Sequence, residues 1–277
     1  MGNAMRCRAV GVAQDELQAE VAALVEPWRP SPWRRLSAAL ADLFYPPSCA
    51  ACRRFIEDTP APPFCASCFA RIGAGRQLCC LRCGYLLPEL HQRPRHGCSW
   101  CRDRSLAFEA CVTAAAYDEP LRSLILRFKQ VEGAYLARAL AWLLAQARGA
   151  LLVRWHVEVI VPVPRHWWRR VRTGYNHAAA LAVELNRLLG LEALVARTAV
   201  YRRRATRLHR GLSSRHRAAN VAGAFALRRP SLLRDRRVLL LDDVLTSGAT
   251  LSELARVVRR ARPRALFAAA VARALVG

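Results

Sequence analysis

Short apolar runs alternate with stretches of helical spacing from residue 107 onward. Such alternation predicts an α/β fold with a mainly parallel, doubly wound sheet and right-handed crossovers. The predicted strands cover residues 108–117, 157–163, 195–201, 222–227, 238–241 and 264–272. The predicted helices cover residues 118–129, 134–147, 177–189 and 251–261. Asp118 is the predicted N-cap of the first helix, and Gly133 breaks that helix before the second begins.

The pattern also divides the chain. Residues 1–32 are expected to form a weakly structured extension, 33–106 a leading helix and a cysteine-rich domain, and 107–277 the α/β domain. The N-terminus lacks an apolar leader, and no apolar run approaches the ~20 residues that span a bilayer. We therefore expect a cytoplasmic protein without membrane insertion.

Eight of the 11 cysteines form four C-x-x-C pairs. Each pair offers two thiolates to one tetrahedral metal, so the four predict two structural zinc ions. A disulfide framework is the alternative that a cytosolic α/β protein disfavours, and a redox motif would usually occur once. Sequential pairing is the simplest, but cross-braced pairing stays open. The candidate ligands are Cys49, Cys52, Cys65, Cys68, Cys80, Cys83, Cys98 and Cys101.

Residues 238–250 carry the most informative chemistry. Four aliphatic residues predict a strand buried on both faces, and Asp242 and Asp243 are expected to end it at the sheet edge where such folds bind ligands. A Thr-Ser-Gly-Ala-Thr turn then leads into a helix. Hydroxyls, free N–H groups and a glycine suit a phosphate, and the carboxylates suit a sugar diol. Together they predict a ribose 5-phosphate site; the alternative is that the acids only cap the next helix.

The net charge is +24, with 44 basic residues against 20 acidic ones. Such an excess favours polyanionic partners, although a compositional bias toward arginine contributes. Lys129 is the only lysine. The tryptophans at 167 and 168 could stack single-stranded bases or could equally pack in the core. The candidate nucleic-acid ligands are Arg169, Arg170, Arg172, Arg203, Arg204 and Arg207.

Residues 238–250 resemble the phosphoribosyl pyrophosphate (PRPP) signature of type I phosphoribosyltransferases. From Trp33 onward the chain resembles the ComF family of bacterial competence proteins, which includes ComFC and GntX. Besides the cysteine pairs and the Asp-Asp signature, the resemblance rests on residues 116–125, Lys129, 160–164, 172–176, Thr206, Leu212, Arg217, Asn220 and 223–225.

This resemblance implies a phosphoribosyltransferase-like domain behind a double zinc ribbon, and a role with single-stranded DNA during natural transformation. It implies that the acid pair holds a ribose diol and that Mg²⁺ bridges diol and pyrophosphate. The family usually has Gln where this chain has His177 and His209, so neither receives a role. The candidate PRPP ligands are Asp242, Asp243, Thr246, Ser247, Gly248, Ala249, Thr250, Lys129 and Arg165.

Three functions remain open at this point. The first is a PRPP-binding competence protein that handles single-stranded DNA, with a competence helicase or processing proteins as partners. The second is an active phosphoribosyltransferase of unknown acceptor, in which the segment 202–217 closes over the substrate as a lid. The third is a nucleotide-sensing regulator that binds nucleic acid.

Overall fold

The computed structural model describes residues 47–56, 63–87, 97–165, 176–204 and 219–274. The predicted N-terminal extension, the leading helix and most of the two basic loops lie outside these residues.

Seven strands are present in the described residues. They are β1 (Ala110–Ala116), β2 (Val159–Pro162), β3 (Leu194–Val195), β4 (Val200–Arg202), β5 (Phe225–Leu227), β6 (Arg237–Leu245) and β7 (Ala265–Arg273). Five of them form one parallel sheet in the order β1-β7-β6-β2-β3, and β4 pairs antiparallel with β5. The α/β prediction is confirmed.

Five α-helices accompany the strands. They are α1 (Ala66–Ile72), α2 (Leu121–Phe128), α3 (Ala137–Arg154), α4 (His177–Leu188) and α5 (Ala249–Arg259), with 3₁₀ turns at Val131–Leu136 and Pro230–Leu232. Helix α3 begins later than predicted, because the preceding residues up to Leu136 form a 3₁₀ helix, and it also ends later, at Arg154. Asp118 does not cap α2, whose N-cap residue is Pro120.

The side chains of β6 alternate between two hydrophobic cores. Leu239 and Leu241 join the core that contains α2, α3 and α4. Val238 and Leu240 join the core on the opposite face, which contains α5. All four are fully buried. Because successive residues of a strand point to opposite faces, this continuous apolar run is what a doubly covered sheet requires.

The order of the strands places a topological switch between β2 and β6. The connection from β2 to β3 runs through α4 on one face, and the connection from β6 to β7 runs through α5 on the other. Neighbouring strands whose connections leave toward opposite faces open a crevice at their carboxyl ends, where open α/β sheets bind ligands.

The cysteine-rich region packs directly on the α/β unit. Cys49, Phe64, Ile72 and Leu86 belong to the same hydrophobic core as the helices α2, α3 and α4. The aromatic rings of Phe64 and Phe69 also lie 6.0 and 5.3 Å from the ring of Trp142 on α3. The two regions therefore share one core, while the boundary at residue 106 stays a prediction.

One helical stretch among the described residues, Gly133–Arg154, is long and apolar enough to cross a membrane by length and composition. The apolar pattern had not indicated a run of this length. Leu140, Leu143, Leu144 and Leu152 of this stretch are fully buried in the shared core. The stretch is thus packed as a core helix against the sheet.

Two predicted strands differ in the structure. The run 195–201 forms two strands, β3 and β4, which belong to different sheets, because the chain turns between Ala196 and Ala199. The run 238–241 is the start of a longer strand, β6, that continues through the acid pair to Leu245. The expectation that the two acids end this strand is therefore wrong.

Candidate functional site

The acid pair lies in the crevice between β2 and β6. The last paired residues of these strands are Pro162 and Leu241, so β6 extends beyond β2 from Asp242 onward. On its other side β6 stays paired with β7, with Asp242 opposite Ala270. This one-sided pairing is why the strand continues through the acids. Their carboxylates nevertheless lie at the sheet edge predicted for ligand binding.

Lys129 reaches the acid pair from the end of α2. Its Nζ lies 2.8 Å from Oδ1 of Asp243, whose side chain is 11% exposed. Burial alone would lower the pKa of Lys129, but the carboxylates of Asp243 and Asp242 outweigh burial and raise it. The lysine therefore stays charged. The fold thus brings Lys129 and Asp243, two predicted ligands that are far apart in sequence, into contact.

The surroundings of Asp242 disfavour the negative charge of its carboxylate. Its Oδ1 accepts a hydrogen bond of 2.9 Å from the backbone N–H of Asp243. Burial, and then repulsion from Asp243, raise the pKa of Asp242 to about 7, against the opposing attraction of Lys129. At neutral pH the carboxyl of Asp242 is therefore partly protonated, and it can accept hydroxyl hydrogen bonds in either state.

Arg165 and His177 form a second contact beside this cluster. A guanidinium N–H of Arg165 contacts Nδ1 of His177, and the imidazole packs edge-on against Phe128. Burial and the positive charge of Arg165 lower the pKa of His177 to about 4. The imidazole is therefore neutral at physiological pH, and it fixes the orientation of Arg165.

The sequence reasoning assigned no role to His177, although a signal was available. Asn176 precedes it, and its side chain accepts a hydrogen bond of 3.1 Å from the N–H of Ala178, as an N-cap residue does. Asn176 also donates to the carbonyl of Val163 at the end of β2. The cap thus places the first residue of α4 at the carboxyl end of β2.

The predicted phosphate loop follows β6 and begins α5. Gly248 is the N-cap residue, with φ of 77° in the left-handed region that favours glycine. No side chain caps this helix, so the first N–H groups of α5 keep their donor capacity for an anion. The alternative that the acids cap α5 is not what the structure shows. Thr246 is exposed, while Ser247, Ala249 and Thr250 are half-buried.

Two of the predicted nucleic-acid ligands can be located. Arg203 donates to the carbonyl of Gly223, and Arg204 donates to the carbonyls of Asn220 and Ala222. Both arginines are exposed, but these bonds use part of their donor capacity. Arg169, Arg170, Arg172 and Arg207 lie outside the described residues.

The eight predicted metal ligands form two groups of four. Cys49, Cys52, Cys65 and Cys68 form one, and Cys80, Cys83, Cys98 and Cys101 form the other. The pairing along the chain is therefore sequential. Sulfur–sulfur distances are 3.8 Å for Cys52–Cys65, and 3.8, 3.6 and 3.9 Å within the second group. Four sulfurs at about 2.3 Å from a zinc ion lie about 3.8 Å apart, so both groups fit the ion.

The two metal groups differ in their surroundings. In the first group Cys52 is exposed, and a hydrogen bond with Ser67 is the main cause that lowers the pKa of Cys65 to about 6. All four cysteines of the second group are buried. Trp100 lies between Cys98 and Cys101 in the chain, and its indole would lie 3.8 Å from a Cβ atom placed on Gly248 of the phosphate loop. The second metal group thus adjoins the ligand crevice, which the spacing of the cysteines did not indicate.

Together, the parallel sheet, the acid-bearing crevice and the two Cys₄ groups define an α/β protein with two cysteine clusters that fit the zinc sites of zinc ribbons. No model of a known protein family matches the chain. Competence protein F of Haemophilus influenzae is 37% identical over 184 residues, which are 64% of this chain and 78% of the relative. DNA utilization protein YhgH is 33% identical in Salmonella typhimurium over 205 residues and 32% in Escherichia coli K12 over 203 residues. Each YhgH match covers 71% of this chain and 84% of the relative. The chain belongs to the ComF family.

We predict two zinc ions per chain in protein purified without added metal, measured by elemental analysis. Cys80→Ala should leave one ion, because it removes a ligand of the second group. Cys79→Ala should leave two, because Cys79 is buried next to that ligand but belongs to neither group. A zinc content near zero in the parent, or equal losses in the two variants, would contradict the assignment.

The raised pKa of Asp242 predicts a pH-dependent effect of Asp242→Asn. A carboxyl whose pKa is higher in the folded than in the unfolded chain stabilises below pH ~4 and loses this contribution as the pH rises to about 7. The gain of the variant over the parent in free energy of unfolding should therefore be about 1–3 kcal/mol larger at pH 8 than near pH 4.5.

Denaturant unfolding at both pH values measures this difference. Asp235→Asn is the matched control, because Asp235 is exposed near the opposite end of β6. It should follow the parent at both pH values. An Asp242→Asn effect of the same size at pH 4.5 and pH 8 would refute the assigned pKa.

Proposed function

We propose that the crevice between β2 and β6 binds PRPP or a related ribose phosphate, and that the protein handles single-stranded DNA in a competence or DNA-utilization process. One observation carries the first part. The acid pair lies at the topological switch point, and a glycine-led helix N-terminus follows it directly. Diol acceptors and a phosphate cradle in that order match a ribose 5-phosphate.

Each element of the crevice has a role in this proposal. The carboxylates of Asp242 and Asp243 accept hydrogen bonds from the ribose hydroxyls, and the N–H groups at the start of α5 hold the 5-phosphate. Lys129 and Arg165 are the cations that face a pyrophosphate group. Mg²⁺, when bound with the ligand, would neutralise the pyrophosphate and would be held by the same carboxylates.

The contact between Lys129 and Asp243 prepares this crevice for a ligand. Two adjacent carboxylates repel each other, and the lysine offsets this repulsion before any ligand is present. Lys129 keeps a side chain that is 36% exposed, so it can turn toward an anionic ligand. The ion pair then gives way to contacts with the ligand, and Asp243 becomes free for a hydroxyl.

The proposed role with DNA rests on charge and on the relatives. The net charge of +24 favours a polyanion, and the relatives are named for competence and for DNA utilization. We place the DNA on the basic segments at 165–172 and 202–217, with the strand bound through its phosphates. Helicase or processing proteins of the same process are the protein partners that this role implies.

We predict that Asp242→Asn/Asp243→Asn lowers the affinity for PRPP with Mg²⁺ at least tenfold, because it removes two charged acceptors worth about 1.5–3 kcal/mol each. The melting temperature should not fall. Loss of the ion pair with Lys129 is offset by relief of the repulsion between the two acids.

Calorimetric titration and thermal melting of the same double variant test this prediction, with Asp235→Asn as the matched control. A double variant that melts early yet binds PRPP like the parent would show that the acids are structural. Incubation of the parent with PRPP and each nucleobase, followed by assay of released pyrophosphate, separates a binding protein from an active phosphoribosyltransferase.

We predict salt-sensitive binding of single-stranded DNA with little preference for sequence. The logarithm of the binding constant should fall by several units per tenfold increase in salt, because each phosphate contact contributes ~0.7. Replacement of Arg169, Arg170 and Arg172 by Gln should reduce this slope by about 2.

Fluorescence anisotropy with two unrelated oligonucleotides measures the slope. The matched control replaces Arg234, Arg262 and Arg264 by Gln, which removes the same charge from exposed positions at the opposite edge of the sheet. Equal loss of slope in both triple variants would mean that overall charge, and not the basic loop, binds the DNA. A flat salt response of the parent would refute this proposal for DNA while leaving the PRPP site untouched.

A further inference from the structure

Arg273, the last residue of β7, is a buried cation without an evident counter-charge. Its side chain is fully buried. One nitrogen, Nη1, lies 3.5 Å from the carbonyl of Cys83, while Nε and Nη2 have no hydrogen-bond partner among the described residues. None of the ion pairs among the residues that the structure describes joins Arg273 to a carboxylate. A buried unpaired charge costs several kcal/mol, so a compensating group is required.

The surroundings of Arg273 indicate what this group is. The guanidinium carbon lies 4.2 Å from the ring centre of Trp100 and 5.4 Å from that of Tyr85. These two rings stack on each other at 6.1 Å. In the chain, Tyr85 follows Cys83 and Trp100 lies between Cys98 and Cys101. Arg273 thus projects from the α/β sheet into the wall of the group Cys80, Cys83, Cys98 and Cys101.

The net charge of a metal-bound Cys₄ group identifies the missing counter-charge of Arg273. A divalent ion with four thiolates carries a net charge of −2, and all four sulfurs of this group belong to buried residues. Water cannot solvate this charge well, so a cation inside the protein is needed. Arg82 and Arg104 also lie near the group, but both are half-buried and donate or stack at its rim. Arg273 is the fully buried cation at this group.

We propose that Arg273 is the internal counter-cation of the second metal–thiolate centre and strengthens metal binding there. Arg273 acts through the charge of the centre and is not a metal ligand. Because it belongs to β7, the proposal makes metal affinity in the cysteine-rich region depend on a residue of the α/β sheet. The ring of Trp100 contacts Arg273 and also adjoins Gly248, so this tryptophan links the surroundings of the centre to the phosphate loop.

The test compares Arg273→Met with Arg148→Met in the full chain. Arg148 is also buried, but its donors are bonded to the carbonyls of Thr113, Ala147 and Gln77. Each change is made in a Cys65→Ser background, so that Co²⁺ reports on the second centre alone through its thiolate charge-transfer absorption. Competition with a chelator then gives the affinity for Co²⁺ and for Zn²⁺.

Arg273→Met should lower the metal affinity of the second centre by about 10–100-fold, as loss of outer-shell partners does. Arg148→Met should lower the melting temperature without lowering this affinity. In a Cys80→Ser background, where the first centre alone binds metal, Arg273→Met should leave the affinity unchanged. Equal affinities of Arg273→Met and its parent at the second centre would overturn the proposal, and so would equal losses in the two methionine variants.

A second readout separates charge compensation from packing. Metal should raise the melting temperature of the parent more than that of Arg273→Met, because binding and folding are linked. A role in packing alone would lower the metal-free and the metal-loaded forms equally. If Arg273→Met does not fold, Arg273→Lys and Arg273→Gln replace it. Lys must then bind metal more tightly than Gln, and the reverse order refutes the proposal.

Discussion

Strand β6 is buried on both faces, and this constraint determines where the molecule can place charge. From Val238 to Leu241 every side chain enters one of two hydrophobic cores, so a carboxylate there would be desolvated without compensation. Beyond Leu241 the neighbouring strand β2 has ended, while β7 still holds the backbone. The chain can then place two acids on an ordered strand that is open on one side, which gives the crevice both its rigidity and its access.

The structure handles concentrated negative charge in the same way at two places. At the crevice, Lys129 from α2 lies against Asp243, and it compensates a pair of carboxylates that β6 brings together. At the second cysteine group, Arg273 from β7 lies against the rings of Tyr85 and Trp100 and near the carbonyl of Cys83, in the loops that carry the four sulfurs. In both cases the cation comes from an element far away in sequence. Compensation of each local excess of negative charge therefore depends on the tertiary packing of distant elements.

Much of this architecture could be predicted because it depends on local patterns. The continuous apolar run of β6 and the spacing of the cysteine pairs indicated the sheet and the two metal groups. The extent of β6 could not be predicted, since pairing with β7 carries the strand through two residues of low strand propensity. Nor could the placement of Lys129, His177 and Arg273 be predicted, because their contacts depend on how distant elements pack.

The hydrogen bonds of Arg203 and Arg204 have a consequence for how this chain can vary. The backbone N–H of Arg203 bonds to the carbonyl of Ala224, and the two side chains bond to the carbonyls of residues 220, 222 and 223. Residues 203–204 and residues 220–224 are therefore two points of the chain that are fixed close together. Doubling the length of a loop between fixed ends costs only about 0.6 kcal/mol in closure entropy. The length of chain between these two points can thus change at a small cost in closure entropy, while the contacts that fix its two ends are kept.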